Sequence, residues 1–287
     1  MISVLSILHA GAALPDQRPT TMSRELLSCS PGIVSLTGGG GKTSLMYSLG
    51  AGLAKGGGDR PGARVLLTTT TRIKRPTQEQ CSYNIECDSI EDIPPARQPG
   101  FFTAARPAPA GRNPEYLWGF SGDEINELMR RSVADWIIVE ADGSAGRPLK
   151  APSAKEPVIP SDSNIVIAVA GLSGIGKLFT DSWVFRPEPF TGLTGLKPGE
   201  TLSPEAVAAI FRHPEGLFKG SPRDALRFAF FNQADIPGGM AYGARLARAV
   251  LSPPLFPVCR VYAGSARLPA APCREFVLCE TENHGLR

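Results

Sequence analysis

The sequence lacks the cysteine and histidine patterns of a metal centre. No C-x-x-C pair occurs, and the two closest pairs of cysteines each have five residues between them, which is not a familiar zinc spacing. The three histidines are scattered, without an acidic or cysteine cluster beside them, so they indicate neither a metal site nor a catalytic triad. We expect the cysteines to be reduced thiols of a cytoplasmic protein. They are Cys29, Cys81, Cys87, Cys259, Cys273 and Cys279.

Strong charge and long apolar runs are missing as well. The formal net charge is only +3, and no Lys/Arg cluster is interleaved with aromatics, so nucleic acid is not an expected partner. No apolar run is long enough for a membrane helix, and residues 2–14 lack the basic segment that opens a signal peptide. We therefore expect a soluble protein with no membrane partner, whose natural start could be Met22.

The composition is that of a globular protein. Hydrophobic residues make up 42% of the 287 residues and charged residues 20%, which is ordinary for a chain with a sizeable core. We predict a disordered N-terminal extension over residues 1–24 and a single domain over 25–287. A segment near 94–114 is rich in Pro, Ala and Arg and is predicted to be peripheral and irregular, with one short strand at 101–104.

A glycine-rich loop is the strongest functional signal in the chain. Residues 33–36 form a short apolar, partly β-branched run, four glycines follow at 38–41, and apolar residues then recur at helical spacing. Strand, glycine loop and helix in this order are the context of a phosphate-binding loop. We predict an α/β, P-loop NTPase-like three-layer sandwich, with a mainly parallel sheet of about seven strands and the site at the strands' C-terminal ends.

The chemistry of this loop assigns a role to each part of it. Glycine has no Cβ, so backbone N–H groups can approach phosphate oxygens, and the helix adds the positive end of its dipole. Lys42 is expected to reach the β- and γ-phosphates, and the Thr43 hydroxyl to ligate Mg²⁺. The loop fits a short pattern, G-G-x-G-K-T, since the first glycine of the longer P-loop pattern falls on Leu36. The alternative is a flexible glycine turn before an unrelated lysine. The predicted nucleotide contacts here are Gly38, Gly39, Gly40, Gly41, Lys42, Thr43 and Ser44.

A second G-x-x-x-x-G-K match lies at 171–177. It is followed by Leu178, which offers no hydroxyl to a metal, and by a stretch with two prolines and no helical period. Without a helix N-terminus most of the phosphate-binding physics is missing. We interpret this match as a loop at the edge of the site, the alternative being a second P-loop.

Two carboxylates follow the buried strand predicted at 136–139. In a chain with a phosphate-binding loop, Glu140 and Asp142 are predicted to bind Mg²⁺ or to orient the attacking water. Arg147 and Lys150, further along the same loop, could stabilise charge on a transferred phosphoryl group. The alternative is that all four are surface charges. The predicted catalytic residues are Lys42, Glu140, Asp142, Arg147 and Lys150, and the predicted metal ligands are Thr43, Glu140 and Asp142.

Polar residues also end three further predicted strands. Four threonines at 68–71 follow the strand predicted at 64–68 and are either ligand-binding hydroxyls or simply residues that suit a strand. The strand from Leu226 ends in N-x-x-D, where Asn232 and Asp235 are predicted to contact the base of the nucleotide. Gln233 stands where GTPases usually carry lysine. Ser265 begins a Ser-Ala-Arg element similar to the guanine-binding Ser-Ala-Lys of GTPases.

Taken together, these motifs resemble the YqeC family. The resemblance covers residues 25–267, and its most specific part is the segment 140–160, which begins Glu-Ala-Asp-Gly-Ser-Ala-Gly-Arg-Pro-Leu-Lys. It implies a P-loop NTPase related to the metallochaperone GTPases for nickel, cobalt and urease. Thr37 stands where some of those proteins carry a signature lysine. The resemblance also implies an accessory role for selenium-dependent molybdenum hydroxylases.

The expected function is therefore that of an Mg²⁺-dependent GTPase or ATPase. It would act in maturing a selenium-containing molybdenum hydroxylase cofactor, with the apo-enzyme or a cofactor precursor as its partner. One alternative is a small-molecule kinase or nucleotidyltransferase, whose acceptor would lie between Arg147, Lys150 and the 171–177 loop. The other is a non-catalytic, nucleotide-gated chaperone that hands the cofactor to an apo-enzyme.

Overall fold

The computed structural model describes residues 22, 26, 28–57, 61–81, 83–252, 258, 260–267 and 273–276. The predicted extension over 1–24 lies, apart from Met22, outside the described residues. No disulfide joins the four cysteines in the described part of the chain, which are Cys29, Cys81, Cys87 and Cys273. Of the helices in these ranges, none has the length and apolar character needed to span a bilayer.

Some consecutive strands are separated by helices, and others follow one another directly. The described strands are β1 Ile33–Gly38, β2 Arg64–Thr69, β3 Arg72–Lys74, β4 Asn84–Glu86, β5 Gly100–Ala105, β6 Tyr116–Trp118, β7 Trp136–Glu140, β8 Leu149–Lys150, β9 Ser163–Gly171, β10 Val184–Phe185, β11 Leu226–Asn232, β12 Arg260–Ala263 and β13 Arg274–Phe276. The described helices are α1 Lys42–Lys55, α2 Gly122–Arg130, α3 Pro187–Thr194, α4 Pro204–Val207, α5 Ala209–Arg212 and α6 Gly239–Val250.

One large sheet organises the molecule. Its order is β13-β12-β11-β9-β1-β7-β2-β5-β4, and all pairs are parallel except β12 with β13. The predicted α/β class and mainly parallel sheet are confirmed, but the sheet has nine strands and not about seven. The outermost strands, β4 and β13, have three residues each, which is too short for a clear periodic signal. The strand predicted at 101–104 is present as β5, inside the main sheet.

Helices cover both faces of the sheet. The apolar side of α1, including Leu45 and Leu49, packs with Ile138 and Ile167 on one face. On the other face α2 packs against β7 and β2, while α6 packs against β9, β11 and β12. Successive side chains of a strand point to opposite faces, and because both faces are covered, β1 and β7 are buried along their whole length.

The helix ends match the local sequence. α1 stops before Gly56, whose φ of 70° is one that glycine adopts without strain. The capping box predicted before α2 is present, with Ser121 accepting from the backbone N–H of Glu124 and the Glu124 carboxylate accepting in return from that of Ser121. Pro187 occupies the first turn of α3, where a proline costs no hydrogen bond.

The position of β1 creates the site. β1 lies between β7 and β9, with Leu36 opposite Glu140 and Gly38 opposite Val169. Parallel neighbours end at the same edge of a sheet. The residues that follow β1, β7, β9 and β11 therefore meet at this edge.

We predict that truncating a core side chain lowers the free energy of unfolding much more in a central strand than in an edge strand. Ile138→Ala, at a fully buried position of β7, should lower the free energy of unfolding by about 2–5 kcal/mol, because it leaves a cavity that the packed sheet cannot close. Ile85→Ala in edge strand β4 is the matched control, since Ile85 is only half-buried, and should cost about 1 kcal/mol or less. Urea denaturation of both variants measures the difference. Equal losses would contradict the packing described here.

Candidate functional site

The glycine loop joins β1 to α1 in a conformation that other residues adopt with difficulty. Gly38, Gly40 and Gly41 have φ values of 95°, 73° and 114°, all in the left-handed region. A Cβ on Gly40 would lie 2.2 Å from the backbone nitrogen of Gly171. A Cβ on Gly39 would lie 2.7 Å from the carbonyl oxygen of Arg147. The run of glycines is thus required both by backbone conformation and by the close approach of two neighbouring segments.

The first three N–H groups of the loop donate to oxygens of the protein itself. The acceptors for Gly38, Gly39 and Gly40 are, in order, the carboxylate of Asp142 and the carbonyls of Val169 and Arg147, at 3.0, 2.9 and 2.9 Å. The segment after β7 therefore closes over this part of the loop.

The first turn of α1 is a second set of donors. Leu45 donates to the carbonyl of Gly41 at 3.0 Å, and the N–H groups that precede it in the helix have no carbonyl partner within the helix. No acidic side chain lies in this turn. Its N–H groups and the helix dipole together suit an anion.

Lys42 is buried among oxygen atoms. Its Nζ donates to the carbonyl of Gly38 at 2.6 Å and lies 3.2 Å from Asp142 Oδ1 and 3.6 Å from Glu140 Oε1, and only 2% of the residue is exposed. Burial alone would lower the pKa of the Lys42 ammonium, but the two carboxylates outweigh it and hold the pKa above its usual value. Lys42 therefore carries a full positive charge inside the protein.

Thr43 and Glu140, two of the three predicted metal ligands, are in contact, while the third, Asp142, pairs with Lys42 and Lys150. The Thr43 hydroxyl donates to Glu140 Oε2 at 2.7 Å, and burial raises the pKa of the Glu140 carboxyl although Lys42 and Thr43 oppose it. Both groups are hard oxygen donors, as Mg²⁺ prefers. Among the described residues there is no group of three or more His, Cys, Asp or Glu side chains that could hold a metal. A metal bound here would need further oxygens from a ligand or from water.

Lys150 extends the ionic network away from the loop. Its Nζ lies 2.9 Å from Asp142 Oδ2 and 3.0 Å from Glu156 Oε2, and it donates to the carbonyl of Gly143 at 2.7 Å. Lys150 is fully buried, and Glu156 also pairs with Arg186. Burial would raise the pKa of the Glu156 carboxyl, but Arg186 and Lys150 hold it below its usual range. The parts that Glu156 and Arg186 play were not predicted, and nothing around Arg186 in the sequence indicates its role.

Arg147, predicted to act on a phosphoryl group, has other partners in this structure. Its guanidinium donates to the carbonyls of Asp181 and Ala145, while its own carbonyl accepts from Gly40. Arg147 therefore touches the glycine loop through its backbone and not through its charge.

The Asn232 side chain joins the glycine loop, where phosphate is predicted to bind, to the loop that carries Ser265, a predicted base contact. Its Nδ2 donates to the carbonyl of Gly40 at 2.8 Å, and its Oδ1 accepts from the backbone of Ala266 at 2.9 Å. Only 4% of Asn232 is exposed, so its amide supports the two loops instead of facing a base. Asp235, which is exposed, and Ser265, which is half-buried, stay the predicted base contacts.

Two other predicted features have structural roles. The hydroxyls of Thr68, Thr69 and Thr70 each donate to a backbone carbonyl of a neighbouring segment, which favours the strand interpretation of this run over ligand binding. The 171–177 loop packs directly on the glycine loop, and Leu178 after it bridges to Thr201 instead of starting a helix. Gln233 Oε1 accepts from the backbone of Ser173 in this loop at 3.3 Å.

Comparison with known proteins finds relatives over most of the chain. A family model described as "YqeC protein" matches residues 34–188, which include the glycine loop, β7 and the buried ionic network. A protein of Escherichia coli (strain K12), described as "Uncharacterized protein YqeC", is 37% identical over 206 residues, which cover 71% of this chain and 76% of the relative. No solved structure matches the chain.

We predict that Asn232→Ala lowers the free energy of unfolding by about 1–3 kcal/mol, because it leaves a buried carbonyl and a buried N–H without partners. The control is Asn113→Ala, since Asn113 is exposed and its side chain accepts one hydrogen bond from the backbone of Glu115. That change should stay within about 0.5 kcal/mol. Chemical denaturation compares them, and a neutral Asn232→Ala would refute the bridging role.

Two glycines of the site should respond differently to a methyl group. Gly40→Ala places a Cβ against the backbone of Gly171 at a φ of 73°, and should cost more than about 2 kcal/mol. Gly143→Ala should stay within about 0.5 kcal/mol, because no atom lies within 4 Å of its added Cβ. Thermal unfolding of the two variants tests this, and a stable Gly40→Ala protein would mean that the loop is looser than described.

Proposed function

The chain belongs to the YqeC family, and we propose that it binds GTP or ATP with Mg²⁺ at the glycine loop and hydrolyses the nucleotide slowly. One observation carries the proposal. A buried, charged lysine stands at the start of α1, directly after a glycine loop, opposite two carboxylates from the neighbouring strand. This is the constellation that phosphoryl chemistry uses, because it places positive charge and a metal position beside a phosphate-binding turn.

Phosphate binding is proposed at the first turn of α1. The backbone N–H groups of Lys42, Thr43 and Ser44 and the dipole of a helix of 14 residues would receive the phosphates. The Lys42 ammonium would neutralise part of their charge, as its raised pKa keeps it protonated at any physiological pH.

Thr43 and Glu140 would hold the metal, since both present oxygen atoms. A nearby cation would also stabilise the ionised form of the Glu140 carboxyl, which burial disfavours. When bound, Mg²⁺ offsets the negative charge of the phosphate oxygens. Glu140 also lies at the end of β7, where a carboxylate can orient a water molecule towards the terminal phosphate.

The nucleoside is proposed to lie between Ser44 and the loop that carries Ser265. Both residues line one cavity of about 580 Å³, a volume in the range of small-molecule sites. Asp235, the predicted acceptor for base N–H groups, is exposed and does not line this cavity, so it would contact a base that extends beyond the cavity. Gln233 is turned towards the 171–177 loop by its bond to Ser173, which leaves the choice between guanine and adenine to Asp235 and Ser265.

The physiological role in the proposal rests on the family resemblance alone. It is an accessory function in maturing a selenium-containing molybdenum hydroxylase, with the apo-enzyme or a cofactor precursor as partner.

A nucleotide-gated chaperone is the second candidate, and one observation favours it. The first three N–H groups of the glycine loop are held by segments of the protein itself, so a nucleotide that needed them would have to displace the 142–148 segment. Such a displacement could present or release a cargo. Transfer of phosphate or nucleotide to a small acceptor is a third outcome that the same assay detects.

We predict that Lys42→Ala weakens binding of GTP and ATP by about tenfold or more, because it removes a charge-assisted contact with phosphate. Lys197→Ala is the matched control: Lys197 follows α3, is exposed, does not line the cavity proposed for the nucleoside, and should leave affinity unchanged. Thermal shift with Mg²⁺ and GTP, ATP, CTP or GDP measures binding and base preference together, since a ligand of the folded state raises stability with ln(1 + [L]/Kd).

The fate of radiolabel carried in separate runs on the γ- and on the α-phosphate of GTP or ATP separates the candidates. Labelled free phosphate from the γ position indicates a hydrolase. A cofactor precursor that gains γ-label indicates a kinase, one that gains α-label indicates a nucleotidyltransferase, and binding without turnover indicates a gate. Circular dichroism checks that Lys42→Ala is folded, and Thr43→Val serves as a milder variant that should lose Mg²⁺-dependent binding. Normal nucleotide binding by a folded Lys42→Ala protein would exclude every version of this proposal.

A further inference from the structure

Two ammonium groups and a backbone N–H surround the carboxylate of Asp142. It accepts from the backbone N–H of Gly38 at 3.0 and 3.1 Å, and it pairs with Lys42 at 3.2 Å and Lys150 at 2.9 Å. Asp142 is fully buried. A glycine N–H and two ammonium groups converging on one point are donors that a phosphate oxygen accepts as readily as a carboxylate does.

Lys150 does not depend on Asp142 to stay in place. Its Nζ also binds Glu156, which lies outside the 143–146 segment and is fixed in turn by Arg186. If the Asp142 carboxylate left, Lys150 would keep a partner and would remain directed at the emptied position.

The charges of the network are balanced only while Asp142 is present. Three cations, Lys42, Lys150 and Arg186, face three carboxylates, Glu140, Asp142 and Glu156. Withdrawal of Asp142 leaves an excess positive charge in a buried place, which is costly until another anion takes its position. A terminal phosphoryl group would supply the missing negative charge.

The chain after Asp142 has room to move. No atom lies within 4 Å of a Cβ built on Gly143, and Gly146 follows with a φ of 73°. Between them Ala145, with a φ of 48°, is held in the left-handed region that is unfavourable for alanine. Rotation at these residues would withdraw the carboxylate without disturbing β7.

We propose that the Gly38 N–H, Lys42 and Lys150 form the subsite for the terminal phosphoryl group, and that Asp142 is an internal anion that competes for it. The inference rests on the proposed nucleotide binding and deepens it. Lys150 becomes a second phosphate-binding lysine, and Asp142 a specificity-determining residue. A triphosphate must displace the carboxylate, whereas a diphosphate need not, so the wild-type protein gains little affinity from the third phosphate.

The test is the ratio of diphosphate to triphosphate dissociation constants, measured by isothermal titration with GDP, GTP, ADP and ATP in Mg²⁺. For the full wild-type chain we expect the two constants to agree within about threefold, because the gain from the γ-phosphate is offset by the loss of the Asp142 contacts. In Asp142→Asn the ratio should shift by about tenfold or more towards the triphosphate. In Lys150→Met the ratio should not shift towards the triphosphate.

Asp135→Asn is the matched control. Asp135 precedes β7 as Asp142 follows it, and it pairs with Arg64 away from the loop. In Asp135→Asn the ratio of diphosphate to triphosphate dissociation constants should equal that of the wild type. A wild-type protein that already binds triphosphate about a hundredfold more tightly, or an Asp142→Asn ratio that does not change, would overturn the inference while leaving nucleotide binding intact.

Inorganic phosphate tests the subsite without a nucleotide. Millimolar phosphate should raise the melting temperature of Asp142→Asn by several degrees more than that of the wild type or of Asp135→Asn. An equal rise in all three proteins would overturn the inference. Should no nucleotide bind to any variant, the proposed function fails, but the phosphate measurement still decides whether Asp142 holds the place of an anion. If Asp142→Asn does not fold, the wild-type ratio decides the matter.

Discussion

The burial of the Lys42 ammonium is the constraint on which the rest of the site depends. A charge taken out of water is tolerated only where opposite charge and hydrogen-bond acceptors surround it. The structure meets this demand with the Gly38 carbonyl and the carboxylates of Glu140 and Asp142. Because Glu140 ends β7 and Asp142 follows it, the pairing of β7 with β1 is as necessary to the site as the loop itself.

The need to compensate buried charge also applies to the residues beyond Lys42, whose charges alternate in sign. Asp142 compensates both Lys42 and Lys150, and Lys150 in turn requires Glu156. The polar side chains at the ends of β1 and β7 are thus one connected system, and a change at one member alters the electrostatic environment of all the others. Such a system suits a site that must exchange one anion for another, since the positive groups are already in place before a ligand arrives.

Much of this arrangement can be predicted from sequence, because it follows from local pattern. An apolar run, four glycines, a lysine and a helical period define the loop without reference to the rest of the chain, and carboxylates after a second apolar run must lie near it in a parallel sheet. The bounds of α1 and the capping box of α2 follow from local residues in the same way.

The features that escape prediction depend on contacts between distant segments. Nothing near Asn232 indicates that its amide would bind Gly40, and nothing near Arg186 indicates a partner in Glu156. Helix α6 has no clear signal because glycine and alanine, such as Gly243 and Ala247, form much of its buried side. The burial of Lys150 between Asp142 and Glu156 also escapes prediction, because burial is decided by packing that the sequence does not display.

The place of β1 in the sheet has a consequence for the newly made chain. β1 is the first strand to be synthesised among those described, but its two neighbours, β7 and β9, come much later, and Asn232, which holds Gly40, later still. On the ribosome the apolar strand and its glycine turn therefore wait without pairing partners while most of the domain is still being translated. Exposed strands of this kind are prone to aggregate. A chaperone that shields β1 and the glycine loop on the nascent polypeptide would suit this order of assembly.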